Sequence, residues 1–345
     1  MAELDTDRFP AANTPSPPRV VERDTGTVMV VTDLHGDLAL YRRYRDVFLA
    51  LQDRGLTQTL VFTGDLIHGQ GLGIPDGSLE IILDLIELEA ELGDALVVLL
   101  GNHEMPHIYH VPISKGKTVY TPDFEAAMGE HREAILDFLR RRPFFVRTAA
   151  GVTLCHAGAF PEAGDPEAMN GLTTFSHVTA LNEIKAAMGT SDRTLMYHAV
   201  AASTTLSYRE LSQLFCAADD PEDPRYDDYL IGVLAGIRHD FRSLWSALFS
   251  RNEHEAGMRT YTRQVRELLA YLSTEAMPQR VVVTGHIGCR NGYRAIAGGL
   301  HLRVASGAHA HPYASGRYLL FDAAAPITEA RDLVTGLGSV FEDGA

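Results

Sequence analysis

The stretch LVVLLGNHE, residues 96–104, decides the fold: an apolar run of strand length ends in a glycine, and Asn102 and His103 follow at once. Outward from it the same pattern recurs four times. VMVVTDLHGD (28–37) leads to Asp33 and His35, TLVFTGDLIHG (59–69) to Asp65, VTLCHAG (152–158) to His156, and VVVTGHIG (281–288) to His286. One such step would say little, because Asp and Gly at a strand end ordinarily make a turn. Taken singly, Asp33 reads as a turn residue, Asn102 as a left-handed turn position and His156 as a hydrogen-bonded strand-end histidine. Five in succession read as a set, because Asp, Asn and His supply the oxygen and nitrogen donors that divalent first-row metals take.

Between the early runs lie helical patterns. In 38–54 the residues Leu38, Tyr41, Phe48 and Leu51 repeat on one face and Gly55 supplies a stop. In 78–92 Ser78 is the expected N-cap and Gly93 the stop, while 123–141 forms a third amphipathic helix ended before Pro143. Strands are expected at 27–32, 59–63, 95–100, 144–147, 152–155, 281–284, 301–304 and 318–321. Strands alternating with helices early and pairing with each other late imply an α/β fold with mixed sheets, whose strand-end loops gather at one edge. The gap from His156 to His286 is too long for one crossover, so 162–278 is expected to be a helical insert within a single domain spanning 26–345. Residues 1–25, rich in Pro, Ala, Thr and Asp, read as a flexible N-terminal arm.

Composition narrows the function. The chain has 345 residues, 46% of them hydrophobic, enough for a full core. Its net charge of −15 argues against general nucleic-acid binding, which draws its affinity from Lys and Arg on phosphates. Three cysteines, Cys155, Cys216 and Cys289, form no C-x-x-C pair, and Cys155 and Cys289, near strand ends, read as small buried residues rather than ligands. An acidic N-terminus without an apolar leader, and no run of membrane-spanning length, lead to the expectation of a soluble cytoplasmic protein with no membrane partner.

The ordered set D-x-H, G-D, G-N-H-E, H-A-G, G-H resembles the calcineurin-like metallophosphoesterase superfamily. The unbroken GNHE and the CHAG step are similar to its phosphoprotein phosphatase branch and to bacterial diadenosine tetraphosphatases. The segment GHIGCRNGYRAIAGGLHLRVASGAHA (285–310) with GRYLLFD (316–322) resembles the closing region of phosphoprotein phosphatases. This resemblance implies an α/β/β/α sandwich holding two divalent metal ions, with manganese expected and iron or zinc as alternatives. Carried over, Asp33 and His35 would bind the first metal, Asp65 would bridge, and Asn102, His156 and His286 would bind the second. His103 would protonate the leaving oxygen, work suited to its charge change near neutral pH.

The resemblance further implies a phosphatase acting on a phosphoprotein or a small phosphorylated metabolite, through a hydroxide held by the two metals. A dinucleoside polyphosphate hydrolase is the runner-up, suggested by the HAG step before Pro161. A non-catalytic metal-binding scaffold of the same fold is the reading from another class. Several departures stand out. The family's G-D-x-x-D-R-G is here GDLIHGQG, so His68 replaces the acid that supports the catalytic histidine and Gly69 replaces a phosphate-binding Arg. Arg251 and Arg290 are the candidates to compensate on the substrate side, together with His68. Ala310 stands about where the family carries an active-site Tyr, and Gly288 where other branches have the second His of G-H-x-H. His107, His110, His309 and His311 fall outside the matched positions and are not expected to be ligands.

Overall fold

The computed structural model describes residues 17–69, 73–115 and 118–341. Eleven strands build its two main sheets: β1 (Val20–Arg23), β2 (Thr27–Val31), β3 (Thr59–Phe62), β4 (Leu96–Val98), β5 (Phe145–Thr148), β6 (Val152–Cys155), β7 (Val281–Thr284), β8 (Tyr293–Ile296), β9 (His301–Val304), β10 (Tyr318–Asp322) and β11 (Leu337–Gly338). The first sheet has the order β11-β10-β2-β3-β4 and the second β1-β5-β6-β7-β9-β8. Both are mixed. In the first, β2, β3 and β4 run parallel while β10 is antiparallel to β2. In the second, β6, β7 and β9 run parallel while β5 and β8 pair antiparallel.

Strand residues buried on both faces explain the continuous apolar runs of the sequence. Alternate residues point to opposite faces, so Val28, Val30 and Val61 of the first sheet meet Val152, Leu154, Val281, Val283, Leu302 and Val304 of the second in one core. The opposite face of the first sheet is covered by a helix, α1 (Leu38–Asp53), with the Tyr41 ring 5.7 Å from that of Phe62. A second helix, α2 (Ser78–Leu92), packs beside α1, and the helix Met258–Leu272 packs against β7. The sandwich is the expected α/β/β/α arrangement.

The details differ from expectation where local competition decides. The buried face of α1 is Leu40, Tyr41, Tyr44 and Phe48, whereas Leu38 and Leu51 are only partly covered. Its N-cap is Asp37, whose carboxylate accepts the Leu40 N–H at 3.0 Å. Ser78 is not the cap of α2 but its first residue. Asp76 accepts the Ser78 N–H and leaves the hydroxyl to take the His68 N–H at 2.8 Å. The expected helix 123–141 is two helices, Thr121–Met128 and Arg132–Arg140, broken by a 3-10 turn at Gly129. Residues 1–16 of the expected arm lie outside the described residues. The arm does not extend to 25, because β1 pairs in register with β5 from Val20 to Arg23. No helix among the described residues is long and apolar enough to cross a membrane.

The chain divides into two compact units. One comprises Pro18–Glu104, Arg142–Thr174 and Ser243–Ala345, and it contains both main sheets. The other includes Met105–Arg141 and Phe175–Arg242, and its described residues are helical apart from loops and one short antiparallel pairing of Ser114–Lys115 with Thr118–Val119. The helices of 162–278 are therefore shared between the two units rather than forming one insert, and 105–141 belongs with 175–242.

A buried ion-pair network holds the helical unit together. His107 Nδ1 lies 2.8 Å from Glu125 Oε1, and Arg132 Nε donates to Glu125 Oε2 at 3.0 Å. Burial alone would raise the Glu125 carboxyl, but the hydrogen bond and charge of His107, then His110 and Arg132, bring it down to about 2. A carboxyl held below its unfolded value stabilises the fold fully above about pH 4.5 and loses that contribution as pH falls towards 2. The shift corresponds to stability on the order of 3 kcal/mol. Glu125→Gln is expected to lower the melting temperature at neutral pH and to flatten the acid limb between about pH 4.5 and 2. Thermal melts across that range check this; an acid limb as steep as in the parent protein would refute it.

Candidate metal centre

The five strand-end loops converge within the sheet-bearing unit. Asp33 follows β2, Asp65 follows β3, Asn102 follows β4, His156 follows β6 and His286 follows β7, so both sheets contribute. Donor atoms of Asp65, His156 and His286 lie within 4.8 Å of one another, as do those of His35, Asp65 and His103, and those of Asp33, His35 and His309. Asp65 is common to two of these groups. Its Oδ1 is 3.5 Å from His156 Nε2 and its Oδ2 is 3.9 Å from His35 Nε2.

The backbone is bent to make this possible. Among the described residues nine non-glycine positions have a left-handed φ, and His35, Asp65, His68 and His286 are four of them. Such conformations cost on the order of 1–3 kcal/mol each and persist only where the surroundings impose them. The imposing contacts are visible. The Asp33 carboxylate accepts the His286 N–H at 2.8 and 2.9 Å, and Asp65 Oδ1 accepts the His103 N–H at 2.9 Å. Gly285 must be glycine, because a Cβ there would fall 1.7 Å from Asp33 Oδ2.

Glu104 is a residue whose role the motif alone did not reveal. It is buried, and its two carboxylate oxygens accept the backbone N–H groups of Asp65 (2.9 Å), Leu66 (2.7 Å), Ile67 (3.3 Å) and Gly101 (3.1 Å). It clamps the Asp65 loop to the GNHE turn. His309 is the other residue that sequence reasoning set aside: it lies within the cluster beside His35 and Asp33. Neither had a separate signal in the sequence, because a role made by contacts across loops leaves no local spacing to read.

The donor chemistry fits a cation. His156 Nδ1 lies 2.9 Å from the Thr63 carbonyl, which can only accept, so the ring carries its proton there and turns a bare Nε2 inward. That Nε2 is 2.7 Å from Asn102 Oδ1 and 3.1 Å from His286 Nδ1. Two acceptors, His156 Nε2 and Asn102 Oδ1, thus face each other with no proton between them, an arrangement that a cation resolves. Burial holds His35, His156 and His286 below the ordinary histidine range, so their lone pairs stay available. Burial, then Glu104 and Asp33, push the Asp65 carboxyl well above its usual range. Burial would raise Asp33 as well, but His309, His156 and His35 hold it below. A buried carboxylate beside another asks for compensating positive charge.

Cys155 and Cys289 are buried free thiols, as expected. Burial pushes Cys155 up to about 12 and Cys289 up to about 11, and neither belongs to the donor groups of the cluster.

On the open side, His103 Nδ1 lies 2.9 Å from His68 Nδ1, so the two rings abut. His103 Nε2 is 4.0 Å from Asp65 Oδ2. Arg251 and Arg290 are exposed, and no contact described for either reaches the cluster. Arg290 instead lies on a two-residue strand paired with Ala310–His311. Gly69 lines a small pocket beside His35 with Leu34, Asp37, Ile74, Ala308 and Tyr313. Ala310 is packed against Cys289 and Ala305, and Tyr313, whose hydroxyl donates to Asp37, is among the residues that line the pocket. His107 and His110 belong to the helical unit.

Residues 26–193 match the family model for calcineurin-like phosphoesterases, a match that takes in every strand-end cluster except that of His286. No curated protein matches the sequence. Among solved structures, the chain is similar to a cold-active protein-tyrosine phosphatase of a psychrophilic Shewanella species (14% identity, TM-score 0.43, 92% of this chain and 81% of that one). It is also similar to a Saccharomyces cerevisiae protein serine/threonine phosphatase (14%, TM-score 0.45, 88% and 76%) and to a metallophosphoesterase from Sphaerobacter thermophilus (12%, TM-score 0.32, 88% and 85%). At these identities and scores the neighbours carry no argument.

Proposed function

We propose that this chain, which carries a calcineurin-like phosphoesterase domain over residues 26–193, is a phosphatase that hydrolyses phosphomonoesters on a protein or a small metabolite. The observation that carries the reading is Asp65. Its two oxygens face separate sets of imidazoles, His35 and His103 at Oδ2 and His156 at Oδ1, so one carboxylate can serve two cations at once. Asp33 and His35 would hold the first cation, Asn102, His156 and His286 the second, and Asp65 both. A divalent pair of this kind, when bound, acidifies water and neutralises charge on the phosphoryl oxygens. The mixed oxygen and nitrogen donors suit manganese, iron or zinc.

His103 supplies the proton. Its Nδ1 lies 2.9 Å from His68 Nδ1 and its Nε2 4.0 Å from Asp65 Oδ2, so Nε2 is the nitrogen that would face a phosphoryl group bound beside Asp65. For His103 to end as a neutral imidazole after Nε2 gives its proton to the leaving oxygen, Nδ1 must keep its own, and His68 Nδ1 would then be the acceptor facing it. His68 is almost fully buried, and its main chain is pinned by Ser78, so the supporting ring is fixed in place. With Gly69 at the position of the family's Arg, phosphate orientation falls to the cations and to the Tyr313 side of the pocket. The test is turnover of p-nitrophenyl phosphate by chelator-treated protein. Activity is expected to vanish on metal removal and to return with added manganese. Absence of turnover with manganese, iron and zinc alike would overturn the enzymatic reading in favour of a metal-binding scaffold.

A further inference from the structure

We propose that the His309 imidazole is an additional ligand of the first metal, reaching Asp33 and His35 from the loop that follows β9. The inference rests on the metal-pair reading and adds to it a donor outside the motif set.

Three observations carry it. Donor atoms of Asp33, His35 and His309 lie within 4.8 Å of one another. His309 Nε2 is 3.3 Å from His35 Nε2, and the two rings meet edge to face with centroids 4.8 Å apart. His309 Nδ1 is buried 3.3 Å from Asp33 Oδ1, yet it makes no hydrogen bond of good geometry. The imidazole thus sits between the other two donors, with Nε2 against His35 and Nδ1 left without a hydrogen bond beside Asp33.

The loop is fixed rather than incidental. Ser306 Oγ accepts the Thr32 N–H at 2.9 Å, and the Ser306 N–H donates to Thr32 Oγ1 at 3.1 Å, one residue from Asp33. Gly307 lies so close that a Cβ would fall 2.9 Å from the Asp33 carbonyl. On its other side the His309 carbonyl accepts the Cys289 N–H at 2.8 Å, which ties it to the His286 loop. A Cβ on Gly288 would lie 2.9 Å from His311 Nε2 and 3.4 Å from the His309 carbonyl. The 309–311 segment therefore takes the space that a side chain at 288 would need, and the imidazole beside Asp33 comes from this segment. With Asp65, the first site would offer two carboxylates and two imidazoles, a donor set that suits manganese, iron and zinc alike.

The experiment is manganese titration of the chelator-treated full chain by calorimetry. The parent is compared with His309→Ala, with His309→Gln, which keeps the side-chain bulk should alanine disturb the loop, and with exposed His311→Ala as control. Two sites are expected in the parent and in His311→Ala. In both His309 variants one site should weaken by about 10–100-fold or more while the other keeps its affinity. Affinities of folded His309 variants within twofold of the parent at both sites would overturn the assignment and leave His309 as a charge partner of Asp33. Failure of the parent to bind manganese, iron or zinc would overturn the metal-pair reading itself, a result distinguishable from the first because it does not depend on residue 309.

Discussion

Replacing His103 with alanine is expected to cut turnover by roughly 10²–10⁴-fold while leaving the metal content unchanged. The geometry separates these two effects. The His103 main chain holds Asp65 through an N–H bond of 2.9 Å, and alanine keeps that bond. The ring makes different contacts: to His68 through Nδ1, and edge to face with His35 at 4.7 Å. Removing the ring removes the proposed proton donor but not the main-chain bond that shapes the Asp65 loop. The loss should be greater with an alkyl phosphate than with p-nitrophenyl phosphate, because p-nitrophenolate leaves without much help from an acid. Elemental analysis alongside rates on both substrates checks this. Loss of metal together with activity would make His103 a ligand rather than an acid, and unchanged rates on the alkyl ester would refute the proton-donor role.

Asp65→Asn is expected to be more severe and to act on binding. One carboxylate faces His156 on one side and His35 on the other, so a neutral amide weakens both cation sites together. Metal content should fall from two to below one per chain at micromolar free manganese, and turnover should fall by about 10³-fold or more. The same change should raise the melting temperature of the metal-free protein. Asp65 is buried against Glu104 and near Asp33, a crowding of carboxylates that only a cation or a proton relieves. Asparagine is near in size and carries no charge. A metal-free variant that melts below the metal-free parent would contradict this account, and full retention of two metals would refute the bridging role.

Much of this was legible in the chain because the signals were local. Strands such as 28–31, 59–62 and 281–284 are buried on both faces, so each appears as an unbroken apolar run, and the donor residues follow at the turn that ends it. Errors fell where a neighbour in space competed with a neighbour in sequence. Asp76 took over at the start of α2 and freed Ser78 for His68, and Gly129 broke a helix whose apolar periodicity continued through it. Strands β1 and β8 were missed because they are short edge strands with exposed polar residues, Glu22 and Arg294 among them.

By itself the sequence determined the sheet-forming segments, the class of donor at each strand end and the identity of six of the cluster's residues, since these depend on hydrophobic pattern and turn chemistry within a few positions. Only the tertiary structure decided that Asp65 faces two groups of imidazoles, that Glu104 clamps its loop, that His68 lies against His103 and that His309 stands beside Asp33. Each of those is a contact between loops far apart in the chain, set by how two twisted sheets align their strand ends, and no spacing along the sequence encodes it.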